Sequence, residues 1–443
     1  MPKKVILFLS DYKGTAQKQT YLCPDGSTVN GTQTNEAPVK YLLQAYPDIS
    51  EILCIVTPEA RASALAPFME MVKAAAPKVK VADIPFAEDQ DFSGSALKEI
   101  MRFVSAKKKD EILLETTGGF RNAIMYLLLV SRVLSYSGIR TAGAVYSNFK
   151  TGQVEDISHL IGLFDLVGGM QELASFGSVG TLREYYARQE RTEPEISALL
   201  SAMERLKEDI SLCRTGRLNQ RIESFNTAME QAGHCSDTLM RALLPAFRAK
   251  FGKRLTVPGL IKWCINSDML QQALTLYKEQ IPAYILGQRP DLLSVKPGAP
   301  APEIKRDYET EEEARFFEHL LKMGRNLRAQ NYDTNWSPDG TYKDYTVTTL
   351  ERLEEVLPFS YFTSPCPVST LREILMDYLY IRMLRNMINH ANDQETQSQQ
   401  QLMDYLSDYH YKRLSDVRAE DIRLALERGL ERLRLGNGKE RKH

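Results

Sequence analysis

Arg385, Asn386 and His390, in the stretch RNMINH, have the side-chain types that hold phosphate and move protons. An imidazole titrates near neutral pH and serves as a general acid or base. A guanidinium clamps phosphate oxygens and stabilises the charge that develops on them. An amide beside them can orient the imidazole or a substrate backbone. Asn386 and His390, four apart, share one face of a helix. Arg385 and His390, five apart, are separated by roughly 140°. One helix therefore does not aim both at one atom, and a second copy of the helix would complete the site. The plainer alternative is a solvated Arg385 and a His390 favoured at a helix C-terminus by the dipole.

A second group lies in the N-terminal half. Thr116 and Thr117 offer hydroxyl donors, and Gly118 and Gly119 let backbone approach a ligand closely. Arg121 adds a cation, and Asn122 opens a helix whose N-terminus attracts anions. Ser10, Asp11 and Tyr12 form the polar exit from the opening apolar run and belong to the same end of the domain. The competing explanation is a strand-to-helix turn that needs glycine for geometry alone. The spacing is neither a Walker loop nor GxGxxG, which argues against triphosphate or dinucleotide binding.

These residues need a scaffold, and the apolar pattern supplies one. VILFLS (5–10), EILCIVTP (51–58), VKVADIPF (79–86), EILLETTGG (111–119) and TAGAVYSNF (141–149) read as strands, the first two buried on both faces. Helices are expected over 35–46, 59–76, 93–107 and 122–137, and a hairpin turning at Pro24-Asp25-Gly26 over 15–35. The alternation predicts a parallel sheet with right-handed crossovers, whose ligands sit beyond the carboxyl ends of the strands. From Thr181 long helical patterns take over: 193–232, 236–251 and 257–286, with Trp263, Leu270, Ala273, Leu274 and Tyr277 as a buried stripe. A proline-rich linker (287–310), a helix (311–328) and an irregular insertion (331–367) come next. The RNMINH helix follows over 370–392, with one buried stripe and a cap at Ser369 or Thr370. The helical tail 402–435 reads as a solvated amphipathic face.

Composition narrows the function classes. The 443 residues are 43% hydrophobic with a net charge of -1, so any contact with nucleic acid must be local. The opening apolar run is too short for a signal peptide, and no stretch is long enough to span a bilayer. A cytoplasmic protein without membrane contact is expected, its six scattered cysteines reduced and mostly buried. No HExxH, DxD or Cys/His ligand spacing is present, so no metal site is expected.

Two resemblances join the halves. The ETTGGFR loop after the fourth expected strand resembles the CARF domain of CRISPR-associated proteins, over residues 1–175. The helix-end RNMINH, with R-x4-H spacing, resembles the HEPN ribonuclease signature. CARF followed by HEPN is the order found in accessory ribonucleases of type III CRISPR systems. The resemblance implies a Rossmann-like CARF domain over 1–180 and a helical HEPN domain over 181–443, with an insertion near 287–367. It further implies a homodimer with no cofactor, activated by a cyclic oligoadenylate bound at Ser10, Asp11, Tyr12, Thr116, Thr117, Gly118, Gly119, Arg121 and Asn122. Cyclic tetra-adenylate is the first choice of ring and cyclic hexa-adenylate the second. The activity implied is metal-independent cleavage of single-stranded RNA at Arg385, Asn386 and His390, with slow cleavage of the activator itself permitted by Thr116 and Thr117. The rival readings are a CARF-type ligand-sensing regulator and a catalytically inactive dimeric scaffold.

Overall fold

A computed structural model describes residues 3–12, 14, 18–86, 96–105, 110–119, 122–189, 192–298, 320–321, 323, 345–390 and 397–435. The chain divides into two compact units, Met1–Val167 and Gly168–His443. The division falls inside the helix Ser158–Phe176, earlier than residue 180.

The first unit is built on one sheet of eight strands: β1 (Lys3–Phe8), β2 (Gln19–Leu22), β3 (Thr28–Gly31), β4 (Ile49–Val56), β5 (Lys80–Pro85), β6 (Glu111–Glu115), β7 (Thr141–Asn148) and β8 (Gln153–Asp156). Their order is β3-β2-β8-β7-β6-β1-β4-β5. Five neighbours, β7 to β5, run parallel. The helices are α1 (Glu36–Ala45), α2 (Pro58–Ser63), α3 (Leu65–Ala75), α4 (Ala96–Ser105), α5 (Ala123–Tyr136) and α6 (Ser158–Phe176).

Central β1 explains its own composition. Val5, Leu7 and Leu9 pack with Tyr41, Leu42, Phe68 and Val72 of α1 and α3. Ile6 and Phe8 pack on the opposite face with Ile100, Val104, Leu127 and Val130 of α4 and α5. Both faces are covered, so the strand has no polar alternation. The chain lays β4 and β5 on one side of β1, then returns to lay β6 and β7 on the other. Winding thus reverses between β1 and β6, which is where open sheets of this kind form a crevice.

The sheet is mixed, not purely parallel as expected. β8 pairs antiparallel with β7, and the β2–β3 hairpin joins the same sheet through β8. The sequence reading missed β8 because QVED is short and mostly polar, so it carries no apolar run, although it lies between β2 and β7. The single helix expected over 59–76 is two, α2 and α3, parted at Ala64. Pro67 has no N–H to offer the Ser63 carbonyl, so one continuous ladder cannot form.

The second unit is helical: α7 (Gly180–Ala187), α8 (Pro194–Ser211), α9 (Leu218–Ala232), α10 (Thr238–Ala249), α11 (Val257–Asn266), α12 (Leu270–Gln288), α13 (Tyr345–Glu351), α14 (Leu353–Val356), α15 (Val368–His390), α16 (Gln397–Ser407) and α17 (Ala419–Leu435). The helices expected over 193–232 and 257–286 each divide, at turns where Cys213 and Asp268 adopt left-handed backbone. α13 and α14 are regular, where an irregular insertion was expected over 331–367. Almost all of the helix expected over 311–328 lies outside the described residues.

The RNMINH helix, α15, is corrected in three respects. It begins at Val368, so Ser369 and Thr370 lie in its first turn and do not cap it. It has no single buried stripe: Met376, Leu379, Tyr380 and Met383 are buried as well as Leu371, Ile374, Leu375, Tyr378, Ile381 and Leu384. Burial on so many sides marks a helix enclosed by others, here α12, α13, α14, α16 and α17. Its last turn leaves that enclosure, and Ile388, expected in the stripe, is 37% exposed.

α17 is not a simple solvated face either. Arg428 and Arg432 both donate to the buried Asp377 of α15, at 2.9 and 2.6 Å, and Tyr411 Oη donates to it at 2.8 Å. Burial raises the Asp377 carboxyl, and the two guanidiniums oppose that shift. Asp377→Ala would remove the buried counter-charge that Arg428 and Arg432 share, leaving Arg432, only 19% exposed, with Glu373 at 3.2 Å as its remaining carboxylate. Breaking a buried pair from one side costs about 3 kcal/mol or more. Urea denaturation should show that loss, and an unchanged midpoint would mean that solvent already compensates the arginines.

The six cysteines are free; four are buried and Cys213 and Cys366 half-buried. No helix among the described residues is long and apolar enough to cross a membrane.

Candidate functional site

The loops after β1 and β6 lie together at the point where the winding reverses. Gly119 N–H donates to Ser10 Oγ at 2.9 Å, joining residues far apart in the chain. Beneath them is a buried polar bridge. Asn35 Nδ2 donates to the Phe8 carbonyl at 2.9 Å and to Glu115 Oε2, and its Oδ1 accepts Ser10 N–H at 3.0 Å. The backbone partners fix which way this amide faces. Glu115 Oε1 accepts Thr117 N–H at 2.7 Å. Asn35 and Glu115 are both fully buried.

Both glycines are needed for this closeness. A Cβ on Gly118 would overlap the Asn35 amide and the Phe8 carbonyl. Gly119 has φ +91°, and a Cβ there would come within 2.6 Å of Phe8 Cβ. The turn-geometry explanation of the glycines is therefore sound, and a ligand would use the surface that this packing creates.

Both threonine hydroxyls expected as donors are engaged within the protein. Thr116 is buried, and its hydroxyl donates to the Val145 carbonyl at 2.9 Å. Thr117 Oγ1 accepts Ser147 N–H at 2.7 Å, and its hydroxyl bonds to the Glu115 carboxyl. Ser10 Oγ accepts from Gly119 and retains its own hydrogen to donate. Asp11 is exposed, and Tyr12 is half-buried with its N–H on Ser63 Oγ at 3.1 Å. Asn122 is exposed at the start of α5 and makes no side-chain cap. Arg121 lies outside the described residues. The crevice thus offers the Ser10 hydroxyl on a hydrogen-bonded floor beside an uncapped helix start.

Burial pushes Glu115 up to about 7 from its ordinary 4.5, opposed by the bonds from Thr117 and Asn35. A carboxyl raised by folding contributes its full stability below the unfolded value and loses it as pH rises through the folded one. The loss between pH 4.5 and pH 7 amounts to about 3 kcal/mol. Glu115→Gln should flatten that part of the stability profile in urea melts between pH 4.5 and 8. Superimposable profiles for the two proteins would refute the assignment.

In the second unit, Arg385 lies near the end of α15 with its side chain about one-fifth exposed. It donates to Asn386 Oδ1 at 3.3 Å and stands 4.0 Å from Glu279 Oε1 of α12. Asn389 Oδ1 accepts from Gln271 at 3.3 Å, so the last turns of α15 run beside α12. His390 is the last residue of the helix, and its side chain lies outside the described residues. Arg385 and Asn386 are therefore together, each half-buried.

Two contributors escaped the sequence reading. Glu279 faces Arg385 from another helix, and nothing local marks it. Asn35 carried one local signal, its place before α1, where an asparagine ordinarily caps the helix. It makes no such cap. No protein-family model matches the chain. No curated protein matches it either.

Proposed function

We propose that this chain is a homodimeric endoribonuclease of CARF–HEPN type, switched on by a cyclic oligoadenylate bound across the β1/β6 crevice. The observation that carries this reading is the joined Ser10 and Thr117–Gly119 loops at the point where the winding reverses. The Ser10 hydroxyl and an uncapped helix start suit phosphate oxygens. A ring with an even number of adenylates has a two-fold axis, so two protomers can each supply one crevice to half of it.

The RNA step follows from the residues at the end of α15. The 2′-hydroxyl attacks the adjacent phosphorus, the bond to the 5′-oxygen breaks, and a 2′,3′-cyclic phosphate remains. One His390 takes the 2′-hydroxyl proton, and the His390 of the other protomer gives a proton to the leaving 5′-oxygen. Arg385 holds the phosphate and the charge it develops, and Asn386 orients Arg385 or the RNA. The roughly 140° between Arg385 and His390 on one helix is what makes the two-copy arrangement necessary.

The test is RNA cleavage with cyclic tetra-adenylate, cyclic hexa-adenylate or no ring, each with and without excess chelator. Cleavage that needs a ring, survives chelation and leaves cyclic phosphate ends supports the proposal. Ring binding without cleavage favours a ligand-sensing regulator. Cleavage lost on chelation and restored by a divalent ion would replace the HEPN assignment with a metal nuclease.

A further inference from the structure

Asn35 is the side chain on which the crevice converges. It is fully buried, yet every polar atom it carries is used, and every partner belongs to one of the two loops or the strand ends that lead into them. Its Oδ1 fixes the Ser10 backbone, its Nδ2 fixes Phe8 at the end of β1, and the same Nδ2 reaches Glu115 at the end of β6. Glu115 in turn fixes the Thr117 backbone. An asparagine preceding a helix ordinarily caps it, which stabilises the helix by about 1 kcal/mol. Here that bond is absent and the side chain turns under the loops. Gly118 lies directly against the amide, so the position of Asn35 also limits how far the second loop can sink.

We infer that Asn35 is a positioning residue: together with Glu115 it sets the spacing between the Ser10 loop and the Thr117–Gly119 loop, and so the fit of a phosphate-bearing nucleotide ring. The inference rests on the crevice being the ring's site. The donor pattern admits only one arrangement. Phe8 O and the Glu115 carboxylate both need a donor, and Ser10 N–H needs an acceptor. An alanine leaves all three unmet. An aspartate meets only Ser10 and places a second carboxylate against Glu115. Pairing that aspartate with a glutamine at position 115 restores the bridge with donor and acceptor exchanged, leaving the Phe8 carbonyl short of one donor.

The experiment titrates cyclic tetra-adenylate and cyclic hexa-adenylate into full-length wild type, Asn35→Ala, Asn35→Asp, Asn35→Asp/Glu115→Gln and Val72→Ala, with RNA cleavage followed in parallel. Val72 is a buried core residue of α3 and serves as a control for lost stability alone. Both single Asn35 variants are expected to weaken ring binding ~10–100-fold. The exchanged pair should recover most of that loss. Cleavage at saturating ring should stay near wild type for every variant that melts above the assay temperature. Val72→Ala should lower the melting temperature and keep its ring affinity. Equal losses of affinity in Val72→Ala and Asn35→Ala, or no recovery in the exchanged pair, would overturn the positioning role while leaving the ring as activator. Wild type that binds neither ring would overturn both the oligoadenylate reading and this role.

Discussion

Alanine in place of His390 should lower ring-activated RNA cleavage by ~10²–10⁴-fold, the usual contribution of a positioned acid or base. Both proton transfers pass through this residue in the proposed reaction, so the upper part of that range is expected. Arg385→Ala should fall comparably, since loss of a single donor to developing charge costs ~10²–10³-fold. Because α15 is held by its buried stretch from Leu371 to Leu384, changes in its last turn should leave folding and dimerisation intact. Single-turnover cleavage of a short RNA at saturating ring measures the effect, with size-exclusion chromatography confirming the assembly. Wild-type turnover in clean His390→Ala would remove the histidine from the chemistry and with it the HEPN assignment.

Arg121→Ala should act on activation and leave the chemistry alone. A charge-assisted contact contributes about 1.5–3 kcal/mol, and a two-fold ring meets two such arginines. Together they correspond to about 3–6 kcal/mol, or ~10²–10⁴-fold in ring concentration for half-maximal cleavage. In the proposed mechanism the ring shifts a population and does not enter the RNA reaction, so turnover at saturation should approach wild type. Titrating cleavage against each ring separates the two parameters. Coincident curves for wild type and Arg121→Ala would mean that the TTGGFRN loop makes no ionic contact with the activator.

The sequence by itself determined the strands β1, β4, β5, β6 and β7 and the turn of the β2–β3 hairpin, because each is encoded locally. Strands covered on both faces, as β1 and β4 are, read as near-continuous apolar runs, β5 shows a weaker pattern at the sheet's edge, and Pro24-Asp25-Gly26 turns whatever surrounds it. The same locality placed the TTGG loop at a strand end and RNMINH at a helix end. Tertiary structure decided what these loops can offer. Thr116 and Thr117 look equivalent in sequence, but the first gives its hydroxyl hydrogen to strand β7, while the second accepts from β7 and bonds to Glu115. Asn35 and Glu115 are 80 residues apart, and only the return of the chain to the other side of β1 makes them neighbours. The polar strand β8 and the enclosure of α15 are likewise products of pairing and packing with distant segments, which periodicity within a short window does not contain.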